Sequence, residues 1–293
     1  MAFQANRQTC RNLLGECVNS NQSLAQGTGR NGGNLEIIPI PAFADNYIWA
    51  LVRDGKCVVV DPGDSVPVIA FLEARKLSLA AILITHHHAD HTGGVDALTA
   101  RWPVPVYGPA AEDIAGVTHA LVEGDTVSLP PFVETPFTII EVPGHTRGHI
   151  AYVSGDILFC GDTLFAAGCG RIFEGTATQL HHSLTRLAAL PEATRVFCTH
   201  EYTLSNLRFA LAADADNEAL IARSFEAQEQ RARGEPTLPS TIGLERKTNP
   251  FLRCDTAPVM RSARASANLP AANQSNEVDV FALLRQWKNT FRG

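Results

Sequence analysis

From residue 35 onward the chain is built of short apolar runs, at 35–40, 46–53 and 57–60, each bounded by Pro, Gly, Asp or Asn. Runs of that length and punctuation predict neighbouring strands. Helical spacing takes over at 65–76, with Val68, Phe71 and Leu72 on one face, and strand pattern returns at 77–85. The alternation goes on through a helix at 95–101 and strands at 104–107, 126–129, 137–142 and 156–160. An amphipathic helix at 176–190 and a strand at 195–199 close the series. Strands interleaved with helices predict an α/β layer. Beyond Tyr202 the pattern is helical, at 203–212, 217–233 and about 278–291, with Pro-containing loops and a polar Ala/Ser/Asn stretch near 264–276. Three segments are therefore expected: an extension over 1–33, an α/β catalytic domain over 34–203 and a smaller all-helical domain over 204–293. The extension is rich in Asn, Gln, Ser and Gly without periodicity, which predicts flexibility. Its arginines give weak support to an organelle transit peptide, and a plain tail is the preferred reading.

One strand pattern ends abruptly in chemistry. The run at 82–84 leads into Thr85-His86-His87-His88-Ala89-Asp90-His91-Thr92-Gly93-Gly94. His86 and His88, two apart in extended backbone, point the same way, and Asp90 and His91 follow as the chain turns. Ligands so close in sequence rarely reach one ion together, and a tetrahedral site closed by them alone leaves no position for a reaction. Two half-sites that draw further ligands from elsewhere fit better. Other strand exits offer those ligands: His145 in Pro143-Gly144-His145-Thr146-Arg147-Gly148-His149, Asp162 after the run at 156–160, and His200 after the run at 195–199. The two oxygens of a carboxylate can hold two cations, which makes Asp162 the natural bridge. The expected set is His86, His88 and His145 on one metal, Asp90, His91 and His200 on the other, and Asp162 shared. All lie along one edge of a sheet layer, where open α/β folds place ligands. Asp61, at the exit of the run at 57–60, reads either as a turn former or as a group that orients a ligand histidine. His149 fits a buried hydrogen-bonding role, and the adjacent His181 and His182 read as surface residues.

Composition narrows the chemistry. Lys+Arg 24 against Asp+Glu 30 gives a net charge of −6 and no basic footprint for nucleic acid. Small-molecule partners are expected. The seven cysteines are scattered, odd in number and without a C-x-x-C pair, which argues against a disulfide framework or a thiolate zinc site. Reduced thiols and a cytoplasmic location follow. No apolar stretch approaches the ~18 residues of a membrane span, and the N-terminus lacks an apolar signal core. Mixed His/Asp ligands suit two zinc ions, with iron or manganese also acceptable. Two such ions lower the pKa of a shared water towards neutrality and polarise a substrate oxygen, so hydrolysis is expected, with Asp90 placed to orient the hydroxide.

The motifs at 85–91, 143–149, 161–165 (Gly-Asp-Thr-Leu-Phe) and 199–202 (Thr-His-Glu-Tyr) together resemble the metallo-β-lactamase superfamily. That resemblance implies a four-layer αββα sandwich. Gly168-Cys169-Gly170-Arg171-Ile172-Phe173-Glu174-Gly175-Thr176, His200-Glu201-Tyr202-Thr203 and Asn249-Pro250-Phe251-Leu252-Arg253, followed by helices, resemble its glyoxalase II family, the hydroxyacylglutathione hydrolases. Over residues 35–293 the resemblance implies a monomer that cleaves S-D-lactoylglutathione to D-lactate and glutathione. The hydroxide held between the metals would attack the thioester carbonyl, in the second step of methylglyoxal detoxification. By position Arg171, Tyr202 and Arg253 match the family's glutathione contacts. Arg171 stands where many relatives have lysine, keeping the charge and gaining bidentate reach, and Phe173 stands where some have tyrosine. No basic residue follows within a few positions of Arg253, which implies a weaker hold on glutathione.

Three rivals stand beside this reading. A glutathione persulfide dioxygenase of the same superfamily would use a single iron and lack the helical segment. A metal-storing or regulatory protein without catalysis is disfavoured by the complete ligand set, and a nucleic-acid hydrolase by the acidic balance.

Overall fold

Strand β2 (Asn46–Arg53) accounts for the layering: seven of its eight residues are buried. Trp49 and Leu51 enter one apolar cluster, while Ile48, Ala50 and Val52 enter another. Successive strand side chains point to opposite faces, so β2 must be covered on both. The computed structural model describes residues 33–270 and 276–292, so the extension expected over 1–33 lies outside the described residues apart from Gly33.

Strands β1 (Glu36–Ala42), β3 (Lys56–Val60), β4 (Ser78–Leu83), β5 (Val106–Pro109) and β6 (His119–Leu121) join β2 in a sheet of order β1-β2-β3-β4-β5-β6. Pairing is antiparallel up to β3 and parallel from β3 onward. Parallel neighbours need a crossover. Helix α1 (Ser65–Arg75) supplies it between β3 and β4, and the short α2 (Ala89–Thr92) with α3 (Val95–Arg101) supplies it between β4 and β5. These helices cover the outer face, where Val68, Leu72, Val95 and Leu98 pack on Val59 and Ile82. The Asp64 side chain caps α1 by accepting from the Val66 N–H.

The second sheet has the order β14-β13-β10-β9-β8-β7. Its strands are β7 (Thr126–Val127), β8 (Phe137–Glu141), β9 (Ile150–Ser154), β10 (Ile157–Gly161), β13 (Arg195–Cys198) and β14 (Ser240–Thr241). Between β10 and β13 lie a hairpin, β11 (Leu164–Phe165) with β12 (Gly168–Cys169), and helix α4 (Ala177–Ala188), which opens on a Thr176/Gln179 capping box. The two sheets meet through Trp49, Val60 and Leu83 on one side and Phe137, Tyr152, Phe159 and Phe197 on the other. Polar tips in this core are satisfied across it: Trp49 Nε1 donates to the Cys198 carbonyl at 2.9 Å and the Tyr152 hydroxyl to that of Ile84 at 2.8 Å. Helices outside both sheets complete the four-layer αββα sandwich.

After Tyr202 the chain is helical: α5 (Thr203–Ala213), α6 (Glu218–Ala232), α7 (Ile242–Thr248), a 3₁₀ turn (Pro250–Leu252), α8 (Ala257–Ser266) and α9 (Glu277–Thr290). One element departs from the all-helical expectation. Strand β14 lies within this segment and pairs with β13, opposing Ser240 to Val196; two residues are too few to leave a periodic signal. The main core also runs into the segment, since Phe251 packs on Phe209 and Phe281 with ring centroids 5.7 Å from each. Asn34–Gly293 form one compact unit. His181 is not a free surface residue: its ring lies 5.5 Å from that of Phe281 and its Nε2 3.7 Å from Glu277. Among the described residues no helix is long and apolar enough to cross a membrane.

A buried ion pair fastens the helices to the hairpin. Arg223 Nη2 lies 2.6 Å from Glu245 Oε1, with side chains 7% and 0% exposed. Arg223 also donates to Thr248 and Ser240. Glu245 Oε2 accepts from the Ala167 N–H and from Asn249 Nδ2, and Asn249 Nδ2 reaches the carbonyls of Phe165 and Gly168. Glu245→Ala would leave a guanidinium buried without counter-charge, so we expect a loss of about 3–5 kcal/mol in urea unfolding. A loss below about 1 kcal/mol would contradict this role for the pair.

Candidate dinuclear metal centre

The seven candidate ligands come from four strand exits. His86 and His88 lie in the turn after β4 and Asp90 and His91 in α2; His145, Asp162 and His200 follow β8, β10 and β13. The loops approach so closely that side chains would not fit between them. A Cβ on Gly63 would sit 1.9 Å from the Asp90 carbonyl oxygen, and one on Gly170 1.9 Å from that of Asp162.

Donor atoms converge in two groups. His88 Nδ1 is 3.1 Å from both His86 Nε2 and His145 Nε2. Asp162 Oδ2 lies 3.4 Å from His145 Nε2, while its Oδ1 lies 3.5 Å from His91 Nε2 and 3.3 Å from His200 Nε2. Asp90 Oδ2 completes the second group, 3.7 Å from His91 and 3.5 Å from His200. Ligand bonds of 2.0–2.1 Å give a tetrahedron with edges of about 3.3 Å, so both groups have the spacing of one coordination sphere. Moreover, His91 Nε2 and Asp162 Oδ1 are buried and make no hydrogen bond. Buried polar atoms are normally satisfied, and a cation is the partner that nitrogen lone pairs and carboxylates aimed at one point can share. The residues present therefore fit two divalent metals, with one Asp162 oxygen facing each group.

The far nitrogen of most of these rings is held. His86 Nδ1 faces the Thr85 hydroxyl at 3.0 Å, and that hydroxyl donates to Asp61 Oδ2, so it accepts from the ring and leaves Nε2 unprotonated. His145 Nδ1 donates to the Arg171 carbonyl at 2.8 Å and His200 Nδ1 lies 2.9 Å from Asp45 Oδ1, while His91 Nδ1 makes no hydrogen bond but has Asp61 Oδ2 3.1 Å away. Asp61 thus has the orienting part considered for it, and it also receives the Thr85 N–H. His149 is fully buried, stacks on His86 at 4.5 Å and accepts from the Asp162 N–H. Asn46 Nδ2 donates to Asp90 Oδ2 at 3.1 Å. Sequence reading missed Asp45 and Asn46, whose only signal is a polar pair at the start of a buried strand.

Charge separates the groups. Burial, followed by neighbouring histidines, pushes His86 well below its usual pKa; burial also lowers His88 and His145. For His200 burial works in the same direction, but Asp162 and Asp45 outweigh it and raise the ring to about 9. His91 is raised as well, burial being outweighed by Asp162 and Asp61. Burial would raise Asp162, yet His91 and His200 hold its carboxyl well below the carboxylate range.

A cavity of about 690 Å³ opens from this floor. Arg171 and Phe173 form one side, with the Phe173 ring 5.2 Å from that of His145. Tyr202 lines another and stacks on His200 at 4.7 Å. Burial and then Asp45 push its hydroxyl to about 12, so it remains a donor. Arg253 is not among the lining residues. Its Nε is held by Asp214 Oδ2 at 3.1 Å, which places its charge in the helical packing instead. Besides Arg171, the cations that line the cavity are Arg285 and Lys288 of α9. Their signal was legible: Phe281, Leu284, Arg285 and Lys288 share one helical face, and two cations on an apolar stripe call for a partner.

The chain matches the profile "Metallo-beta-lactamase superfamily" over residues 43–200 and "Hydroxyacylglutathione hydrolase C-terminus" over 201–291. A curated hydroxyacylglutathione hydrolase of Nitrosomonas europaea is 49% identical over 259 residues, spanning 88% of this chain and 97% of that one. One from Alkalilimnicola ehrlichii is 54% identical, spanning 87% and 98%. The chain belongs to the hydroxyacylglutathione hydrolase family. Solved structures similar to this member of the family include the B3 metallo-β-lactamase BLEG-1, with 26% identity and a TM-score of 0.54 over 74% of this chain and 99% of that one. ETHE1 from Myxococcus xanthus has 25% identity and a TM-score of 0.58 over 80% and 92%.

Metal loading of this hydrolase-family chain is expected to release protons. His200, raised to about 9, is charged at pH 7 in the metal-free chain and must be neutral to ligate. On the order of one proton per chain should leave at pH 7, and the release should fade as the pH climbs past about 9. Calorimetric zinc titrations in buffers of different ionisation enthalpy measure this; no release at pH 7 would contradict it.

Proposed function

We propose that the chain hydrolyses S-D-lactoylglutathione to D-lactate and glutathione with two divalent cations, zinc suiting its His/Asp donors best. The observation that carries this reading is that one cavity joins a carboxylate shared by two donor groups to a wall bearing Arg171, Arg285 and Lys288. Glutathione brings two carboxylates, which need such a wall. The curated relatives carry the corresponding name. The donors can be complete within one chain, in keeping with a monomer, and the five described cysteines are free and buried, in keeping with a reducing cytoplasm.

In the reaction water adds to the acyl carbon and the C–S bond breaks; of the water's two protons, one ends on the departing thiolate to give glutathione and the other passes to solvent, leaving lactate as its carboxylate. When bound, the cations lower the pKa of water and polarise the thioester oxygen. His86, His88 and His145 would hold one, Asp90, His91 and His200 the other, with Asp162 between. Asp90, fixed by Asn46, can accept a hydrogen bond from the attacking water and aim it. Tyr202 donates its hydroxyl proton to the peptide part of the substrate, and Phe173, 62% exposed, gives it an apolar edge. The single-iron dioxygenase reading leaves the second donor group and the wall from α9 without a task.

Loss of thioester absorbance tests the proposal: it should be rapid with the metal-loaded chain and abolished by a strong chelator or by Asp162→Ala. A metal-replete sample that leaves the thioester intact would refute it. Lys288 separates binding from chemistry. Its burial and the nearby Arg285 lower its ammonium to about 8. It is charged below that value, so KM should rise as the pH passes 8. Lys288→Met should raise KM about tenfold near pH 7 with little change in kcat, and remove that pH limb. Arg253→Ala should leave KM within about twofold. The reverse pattern in KM would restore Arg253 to the site.

A further inference from the structure

Glu112 lies in the loop between β5 and β6, and neither the sequence reading nor the chemistry above gives it a task. Its side chain is 3% exposed. A carboxylate so buried must have its oxygens satisfied, and these are. Oε2 accepts from the His87 N–H at 2.5 Å and faces His87 Nδ1 at 3.0 Å. Oε1 accepts from the Thr146 hydroxyl and from the Gly148 N–H at 3.1 Å. The position is built around the carboxylate, for a Cβ on Gly148 would fall 2.5 Å from Glu112 Cγ.

These partners belong to two loops. His87 sits between His86 and His88, while Thr146 and Gly148 follow His145. One carboxylate thus joins the two loops whose histidines make the first donor group. His87 strengthens the tie, with its Nε2 3.2 Å from Glu174 Oε1 and with Glu174 Oε2 accepting from the Arg147 N–H. The second group has supports of its own, Asp45 behind His200 and Asn46 on Asp90, while Asp61 stands behind both His91 and, through Thr85, His86.

We infer that Glu112 is the positioning residue of the first cation site, setting the spacing of His86 and His88 against His145 without serving the second. The inference rests on the two-cation reading. Ligand nitrogens 3.1 Å apart across two loops keep that spacing only if the loops are fixed to each other. Groups behind metal ligands are typically worth about 10–100-fold in metal affinity.

The test is a zinc titration of the metal-stripped full chain against a chromophoric chelator. His145→Ala and His200→Ala identify the binding steps of the first and second site. Glu112→Ala should weaken the step that His145→Ala removes by about 10–100-fold and leave the other within about twofold. In Glu112→Gln the amide oxygen can still accept from Thr146 and Gly148, but the amide N–H₂ opposes the His87 N–H. The same step should therefore weaken, by less, at an unchanged melting temperature of the metal-free chain. Equal weakening of both steps, or of neither, in the Gln variant overturns the inference. So does Glu112→Ala failing to fold while Glu112→Gln binds both ions normally, since the residue then serves the fold alone. No thioester enters the titration. A wild-type chain that takes up two zinc ions yet leaves the thioester intact would sink the proposed activity and not this inference.

Discussion

A carboxylate buried between two clusters of histidine is the constraint on which the rest of the structure depends. Asp162 is 7% exposed, and a charge in such surroundings is tolerated only when it is compensated. In the metal-free chain His200, raised to about 9, does this, and the same carboxylate also raises His91. In the proposed metal-loaded state, cations would take over the compensation and the rings would serve as ligands. Loading would then exchange one form of positive charge for another around a fixed anion. Asp162 is fixed twice over, by His149 at its N–H and by the contact of Gly170 with its carbonyl.

The sheets explain how seven ligands from distant parts of the chain reach that point. β3 runs parallel to β4 and β10 parallel to β13, so within each sheet these strands end on the same edge. Packing face to face then brings the two edges together. A short backbone link closes the seam where they meet: the Tyr47 N–H donates to the Thr199 carbonyl at 2.7 Å, and Asn46 bridges to His200. The start of β2, deep in the first sheet, is thereby fixed to the exit of β13 in the second. Asp45 and Asn46 can support His200 and Asp90 because this link places them there.

What was legible in the sequence follows from this geometry. Strand exits carrying His or Asp show themselves as apolar runs ending in polar residues, as at His86, His145, Asp162 and His200, and Gly144 and Gly161 add a turn signal beside two of them. The supports behind them do not. Asp45 is one acid in a polar turn and Glu112 one acid in a loop, and only the fold shows that each faces a histidine-bearing loop. Arg253 and Lys288 make the same point about charges. Both are cations of the helical segment, but Asp214 occupies one, while the other emerges at the cavity because α9 ends there. Position within a motif did not separate them, whereas a place on a buried helical face would have. Strand β14 was hidden for a different reason: its pairing is dictated by β13 and not by any pattern of its own.

The helical segment is therefore best understood as part of the site and not as an appendage to it. Arg285 donates to the carbonyls of Cys169 and Gly170, and Gly170 in turn packs on Asp162, so the cationic wall is referenced to the Asp162 carboxylate through a single strand of backbone. Arg223, Glu245 and Asn249 hold the neighbouring hairpin from the other side. Within the wall, Arg285 Nε is buried without a hydrogen-bond partner, and Lys288 is lowered to about 8 by burial and then by Arg285. Cations held so close together are destabilising in the empty cavity. On the proposed function, an anionic ligand that satisfies them would relieve the repulsion on binding, favouring carboxylate-bearing substrates over neutral thioesters of the same size. In the proposed hydrolysis, the backbone link to Asp162 would then turn that remote binding into alignment of the thioester carbonyl over the two donor groups.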